Sequence, residues 1–161
     1  MATIGEVASR VRAAKAAFWN EAAAVAQSDS AVLLEFQKDQ LYAGQTPEGG
    51  YLAPTYSRDP YFKKPGAGER YAKWKAKIHP RRPASYLKAR PEDVPNLIVN
   101  GNRFYNHLSC TVTKRQIRYL NAGIDMRPKY GDILGLNARS IAHYRAEHFN
   151  EKFYARLRKW L

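Results

Sequence analysis

The side chains best suited to do chemistry lie between residues 61 and 82. Lys63, Lys64, Arg70, Lys73, Lys75, Lys77, Arg81 and Arg82 alternate there with Tyr61, Phe62, Tyr71 and Trp74. Cations at such density meet phosphates or carboxylates, and aromatic faces among them can stack on unpaired bases. The same pattern also describes a solvated basic face whose aromatics turn into the core or against a neighbouring subunit. No helix-turn-helix, RNP or zinc-finger pattern accompanies it, so sequence-specific reading of nucleic acid is not expected. The four histidines, His79, His107, His143 and His148, form no metal motif. His143 and His148 share one helical stretch, but five residues apart on an α-helix they point away from each other, and HYRAEH is neither H-E-x-x-H nor H-x-x-E-H. Neither a glycine-rich phosphate loop nor a G-x-S-x-G elbow is present. The fourteen carboxylates contain no paired motif, and the lone Cys110 suits a small apolar strand position. No catalytic residue, metal or cofactor is therefore expected, and the chain reads as a non-enzyme.

Composition narrows the class further. The chain has 161 residues, 45% of them apolar, enough for one domain with a real core. One cysteine excludes an intrachain disulfide and a thiolate zinc site, and points to a reducing compartment. The N-terminus lacks a signal-type apolar run, and no stretch reaches the roughly 20 apolar residues that span a bilayer. A soluble protein made in a cytoplasm, with no membrane contact, is expected. The net charge of +13 is uneven: four Lys/Arg stand against six Asp/Glu in residues 1–50, eleven against four in 51–100, and twelve against four in 101–161. Such a field needs an acidic partner or a large assembly to spread over.

These groups need positioning elements. Thr3 and Glu6 form a capping box. Ile4, Val7, Val11, Ala14, Phe18, Ala22 and Val25 follow at helical steps. Ser28-Asp29-Ser30 interrupts, and a second helical pattern over 31–43 ends at Gly44, where a left-handed residue is expected. The sequence leaves open whether this is one bent helix or two. From 45 to 68 prolines and glycines preclude regular structure. Tyr51, Tyr56, Tyr61 and Phe62 in this stretch are costly to leave in water, so it is expected to act as an arm against a neighbouring subunit, ordered only on assembly. Residues 69–80 fit a helix (Tyr71, Trp74, Ile78) and a strand equally well. Leu97-Ile98-Val99 reads as a strand closed by the Asn100-Gly101 hairpin signal. Further strands are expected over 104–113 and 116–120, with a turn at 121–123. Last comes a helix capped by Asn137, with Ala142, Ala146, Phe149, Phe153, Leu157 and Trp160 on its buried face and Trp160 and Leu161 packed. The order implies an α+β single domain: a helical part (1–44), an extended arm (45–68), a basic sheet-containing part (69–137) and a C-terminal helix (138–161).

The closing block carries a resemblance. Arg127-Pro128, then Ile133-Leu134-Gly135-Leu136-Asn137, then an amphipathic helix resembles the C-terminal end of tail-completion (virion morphogenesis) proteins of tailed bacteriophages, where the block commonly reads like PARPFLGLS before an acidic helix. Here Tyr130-Gly131-Asp132 replaces the second basic-Pro element and the helix is basic. Pro47 to Pro54 can be laid over that family's D-G-x-x-W-x-P phrase, and residues 96–109 over its L-x-x-S-G-x-L-x-x-S-I hairpin. The motif match is confined to 127–137, while the layout extends over most of the chain. The resemblance implies a structural virion protein, assembled in the host bacterial cytoplasm. It would act as an oligomeric ring of the neck at the head–tail joint, among other neck, tail and head proteins, with possible non-specific DNA contact. The residues alone support a different class as well, a basic non-specific nucleic-acid-binding domain. A hydrolase with an unrecognised site is a weaker third.

Overall fold

The computed structural model describes residues 3–79 and 86–161. It is mixed helix and sheet, α+β, with helices dominant and a small antiparallel hairpin. Helix α1 (Ile4–Ser28) opens on the expected capping box: Thr3 Oγ1 accepts from Glu6 N, and Glu6 returns a carboxylate to Thr3 N. Asp29 ends it, and α2 (Ser30–Tyr42) starts one residue later, so the helical part is two helices. Gly44 then takes φ 69°, and a Cβ there would lie 2.3 Å from Val94 Cγ1, so glycine is required on both counts.

α2 is the spine. Leu41 enters one core cluster with Leu52, Val94, Leu97, Phe104, Tyr105, Leu108 and Ile133, while Leu33 and Phe36 enter another with Ala26, Tyr119 and Tyr144. Between these apolar faces α2 buries two amides, Gln37 and Gln40, without exposure. Their partners are the backbone of the 135–137 turn. Gln40 Nε2 donates to the Gly135 carbonyl at 2.8 Å, and Gln40 Oε1 accepts from Asn137 N at 2.7 Å and from Ser140 Oγ at 3.0 Å. Gln37 Oε1 accepts from Gly135 N at 2.7 Å, and Asn137 Nδ2 donates to Gln45 Oε1 at 3.0 Å. Polar groups taken from water in this way must be matched nearly atom for atom.

The loop 45–68 turns back onto the chain. Leu52 and Tyr56 are core residues, Ser57 holds Asp93 through backbone and side chain, and a 3₁₀ turn occupies Tyr56–Arg58. Leu52 and Tyr56 thus pack within one copy, against the expectation of a loop ordered only on assembly, and Tyr56 leaves the arm. Helix α3 (Ala67–Ile78) resolves the helix-or-strand ambiguity. It packs on the 3₁₀ turn so closely that a Cβ on Gly68 would lie 2.1 Å from the Tyr56 carbonyl oxygen.

Residues 97–99 are not a strand. Leu97, Asn100, Gly101 and Asn102 all take positive φ, and the chain passes into the short helix α4 (Arg103–Asn106). The Asn-Gly signal marked a real reversal, but Asn tolerates left-handed backbone equally in other turns. The hairpin lies later, β1 (Leu108–Val112) against β2 (Ile117–Asn121), in the register Leu108↔Asn121 to Val112↔Ile117. The strand expected over 104–113 is thus helical in its first part. Asn121 Oδ1 accepts from Gly123 N and Ile124 N, making the expected turn, which leads to the short helix α5 (Arg127–Tyr130).

Asn137 caps the last helical run through Ser140 N at 2.9 Å. That run is α6 (Ala138–Tyr144), a π turn (Arg145–Phe149) and α7 (Asn150–Leu157). The π turn inserts one residue, so Tyr144 and Phe149, five apart, both face inward and Phe153 follows. Ala142 and Ala146, expected on the buried face, are turned outward. α7 lies along α1, with Phe153 edge-on to Phe18 at 5.0 Å and Arg156 paired to Glu21 at 3.1 Å. Trp160 and Leu161 sit beside α1 without being buried, at 41% and 59% exposure, which corrects the packed end; Trp160 Nε1 donates to Glu21 and the Leu161 carbonyl accepts from Arg10.

Gln40→Leu is expected to lower the unfolding free energy by about 2–4 kcal/mol, since each buried group left without a partner costs about 1–3 kcal/mol. Urea denaturation reads this directly. Gln27→Leu is the exposed control, expected within about 0.5 kcal/mol of the parent.

Candidate functional site

The basic-aromatic stretch folds into a row of rings. Tyr61 and Phe62 are edge-on with centroids 5.3 Å apart; Phe62 meets Tyr71 at 5.1 Å, and Tyr71 meets Trp74 at 5.4 Å. Tyr56 backs Tyr71 from the core at 5.1 Å. The ends of the row face solvent, with Tyr61 78% and Trp74 51% exposed. α3 puts Arg70, Lys73 and Lys77 at steps of three and four, so these cations form one exposed stripe next to Trp74. Lys63 and Lys64 are exposed in the loop before α3. Arg81 and Arg82 lie outside the described residues.

Lys75 departs from this pattern. Its side chain is buried, its ammonium donates to the Ile98 carbonyl, and it lies 5.8 Å from the Tyr71 centroid and 6.0 Å from that of Trp74. Burial, then the neighbouring Arg90 charge, lowers its pKa. Lys75 is therefore a support of the aromatic row and not a phosphate contact, which corrects its place among the contact residues. His79, just past α3, is also lowered by burial and by the charges of Lys75 and Arg90.

Beside the row opens a cleft of about 320 Å³, lined by Tyr56, Tyr61, Phe62, Tyr71, Lys129 and Tyr130 among others. Lys129 pairs with the buried Asp59 carboxylate and lies 5.4 Å from the Tyr130 ring centre, while Asp59 Oδ1 accepts from Tyr61 N at 3.0 Å. Sequence reasoning missed Asp59, Lys129 and Tyr130 at this site. Seventy residues separate Asp59 from Lys129, and no local spacing signals the pair. Of the expected arm, Tyr51 and Tyr61 are exposed, Phe62 is half-buried, and Tyr56 belongs to the core.

Elsewhere two histidines pack among aromatic rings. His143 stacks on Tyr86 at 4.3 Å and lies 5.9 Å from Phe36, and His148 meets Phe36 edge-on at 5.7 Å. The π turn brings both histidines against one ring, against the α-helical expectation that they diverge. Among the described residues no group of three His, Cys, Asp or Glu could hold a metal, and no helix is long and apolar enough to cross a membrane.

Two further apolar features are exposed. The first nine residues of α1 are all exposed, Ile4 by 91%, Val7 by 50% and Val11 by 52%, so the expected core face of this helix is a core face only in its second half. A groove of about 570 Å³ runs between β2, the 132–136 turn and α6. No protein-family model, curated protein or solved structure matches the chain.

Burial pushes the Tyr56 and Tyr130 hydroxyls up to about 12. Their ordinary unfolded value is near 10. Their contribution to stability is complete below about pH 10 and is lost as pH rises through about 12, because the unfolded chain ionises first. Alkaline titration of tyrosinate absorbance with circular dichroism should show late ionisation coinciding with unfolding. Tyr130→Phe should make the fall in stability over that window shallower.

Proposed function

We propose that this chain is a structural virion protein of a tailed bacteriophage, a tail-completion or neck component that works as an oligomeric ring at the head–tail joint and does no catalysis. The observation that carries this reading is the projecting first half of α1. An unpaired helix with a regular apolar face is unstable in water by itself and is kept only where a partner covers it. The segment resembling tail-completion proteins adds support: Ile133 to Asn137 is the turn whose backbone the buried glutamines of α2 hold, so it is a structural keystone of this chain. The residual positive charge suits either the genome's path or acidic subunits on each side of the joint.

The test is genetic and microscopic. A nonsense mutation in the encoding phage should leave filled heads and finished tails that fail to join, and antibody against the chain should label the joint of wild-type particles. Normal infectious particles from the nonsense mutant would sink the proposal.

The exposed stripe Arg70, Lys73 and Lys77 beside Trp74 favours a second reading, non-specific binding of nucleic acid. Each neutralised phosphate of duplex DNA contributes a slope of about −0.9 to log affinity against log salt. Arg70→Gln, Lys73→Gln and Lys77→Gln together should flatten that slope by about 2.7 if all three meet phosphates. Stability should change little, because exposed charges contribute little to folding. Tight binding by a monomer would favour this reading. Weak binding with an unchanged slope would remove it.

A further inference from the structure

The projecting ridge of α1 and the open groove lie on the same chain, and the described residues fill neither. The ridge presents Ile4, Val7 and Val11 along the first nine residues of the helix, a length of about 13 Å at 1.5 Å per residue. It cannot fold back to cover itself. α1 is one continuous helix, fixed further along by Phe18 against Phe153 and by Glu21 against Arg156. The groove exposes Ile117, Leu120 and Ile141, with Ile124, Met126 and Leu136 deeper. Its wall is β2, which pairs only with β1 among the described residues, so the other edge is open. Proteins commonly cover such an edge with a helix, since a bare one recruits foreign strands.

Building on the ring reading above, we propose that the occupant of the groove is a second copy of this chain. The first half of α1 of one copy lies in the groove between β2 and α6 of the next, joining copies head to tail. Charge decides between this arrangement and pairing of α1 with α1. The first half of α1 carries Arg10, Arg12 and Lys15 against Glu6, so two such segments side by side repel. The groove rim carries Asp125 and Asp132 beside Arg118 and Arg127, a neutral set in a chain of net charge +13, and these are two of the four carboxylates in residues 101–161. The basic ridge thus meets a neutral rim here instead of a second basic ridge. Because ridge and groove are different surfaces, the contact is heterologous: each copy uses one of each, and repetition closes a ring or runs on as a filament.

The logic makes a sharp test with the full chain. Val7→Asp spoils the ridge and keeps the groove, whereas Leu120→Asp spoils the groove and keeps the ridge. Both positions are half exposed, so both variants should melt as the parent does, and Ile4→Asp with Ile141→Asp form a second pair if either does not. In sedimentation velocity the parent should assemble with rising concentration and each variant alone should stay monomeric. An equimolar mixture should form a 1:1 heterodimer and stop, since only one working junction remains. Parent-like assembly of Leu120→Asp would overturn the proposal, and with monomeric Val7→Asp it would indicate ridge-to-ridge pairing. A mixture that stays monomeric, or a parent that never assembles, overturns it too. Failure of the virion reading looks different: it appears as normal head–tail joining in the nonsense mutant, whatever the sedimentation shows.

Discussion

Two amides inside the protein constrain everything around them. Gln37 and Gln40 lie on the one helix shared by both apolar clusters, and neither has water to turn to. Leaving either unmatched would cost about 1–3 kcal/mol per polar group, a large part of a small domain's stability. The Gly135-Leu136-Asn137 turn answers both side-chain oxygens and the Gln40 nitrogen, whereas Gln37 Nε2 is buried with no partner among the described residues. Gly135 takes φ 143°, which leaves its N–H to Gln37 and its carbonyl to Gln40. Asn137 then gives its N–H to Gln40 and its side-chain oxygen to Ser140, so the same turn that answers α2 also launches α6. Helix 2 and the C-terminal run are thereby tied across about a hundred residues of sequence.

A second tie works on the same pair of segments. Asp29, buried at the α1–α2 junction, accepts from the Tyr144 hydroxyl and from the Lys152 ammonium. The junction residue that ends one helix and begins the next therefore also fixes the angle at which the C-terminal run crosses α1. Asp59 with Lys129, Glu21 with Arg156 and Asp125 with Arg127 are used similarly, inside the chain. With those carboxylates paired inside the chain, Glu69 is the one acid on α3 beside Arg70, Lys73 and Lys77. The external field is thus a consequence of how the fold is held together as well as of composition.

Features that depend on neighbours in sequence were legible in it. The Thr3–Glu6 box, the break at Asp29, the left-handed Gly44 and the Asn137 cap each need only three or four residues to be recognised. Features that depend on distant partners were not. Lys75 reads as one more exposed cation until the Ile98 carbonyl and the Tyr71 ring are brought to it, since a long aliphatic stem suits either environment. The apolar run 97–99 followed by Asn-Gly reads as a strand and hairpin, yet the left-handed residues that permit a hairpin also permit the tight entry into α4. The π turn left no sequence mark, and one inserted residue was enough to exchange Ala142 and Ala146 for Ser140 and Tyr144 on the inner face. Of the candidate site, the composition of the aromatic row was visible and its depth was not: Tyr56 went to the core and Lys129 arrived from α5.

The fate of α1 follows from the same ties. Its second half is held by α2, the hairpin and α7, all of which are anchored by the amide and carboxylate contacts above. Its first nine residues are exposed, with Arg10 donating to the Leu161 carbonyl. A helix of this length could have been trimmed to the part that packs, or made polar where it leaves the body. Instead the three- and four-residue apolar spacing continues unbroken from Val25 back to Ile4, across the point where the body stops. Among the described residues nothing buries that continuation, and in water it costs the exposure of Ile4, Val7 and Val11. In the head-to-tail contact proposed above, that continued periodicity is the face a second copy would cover.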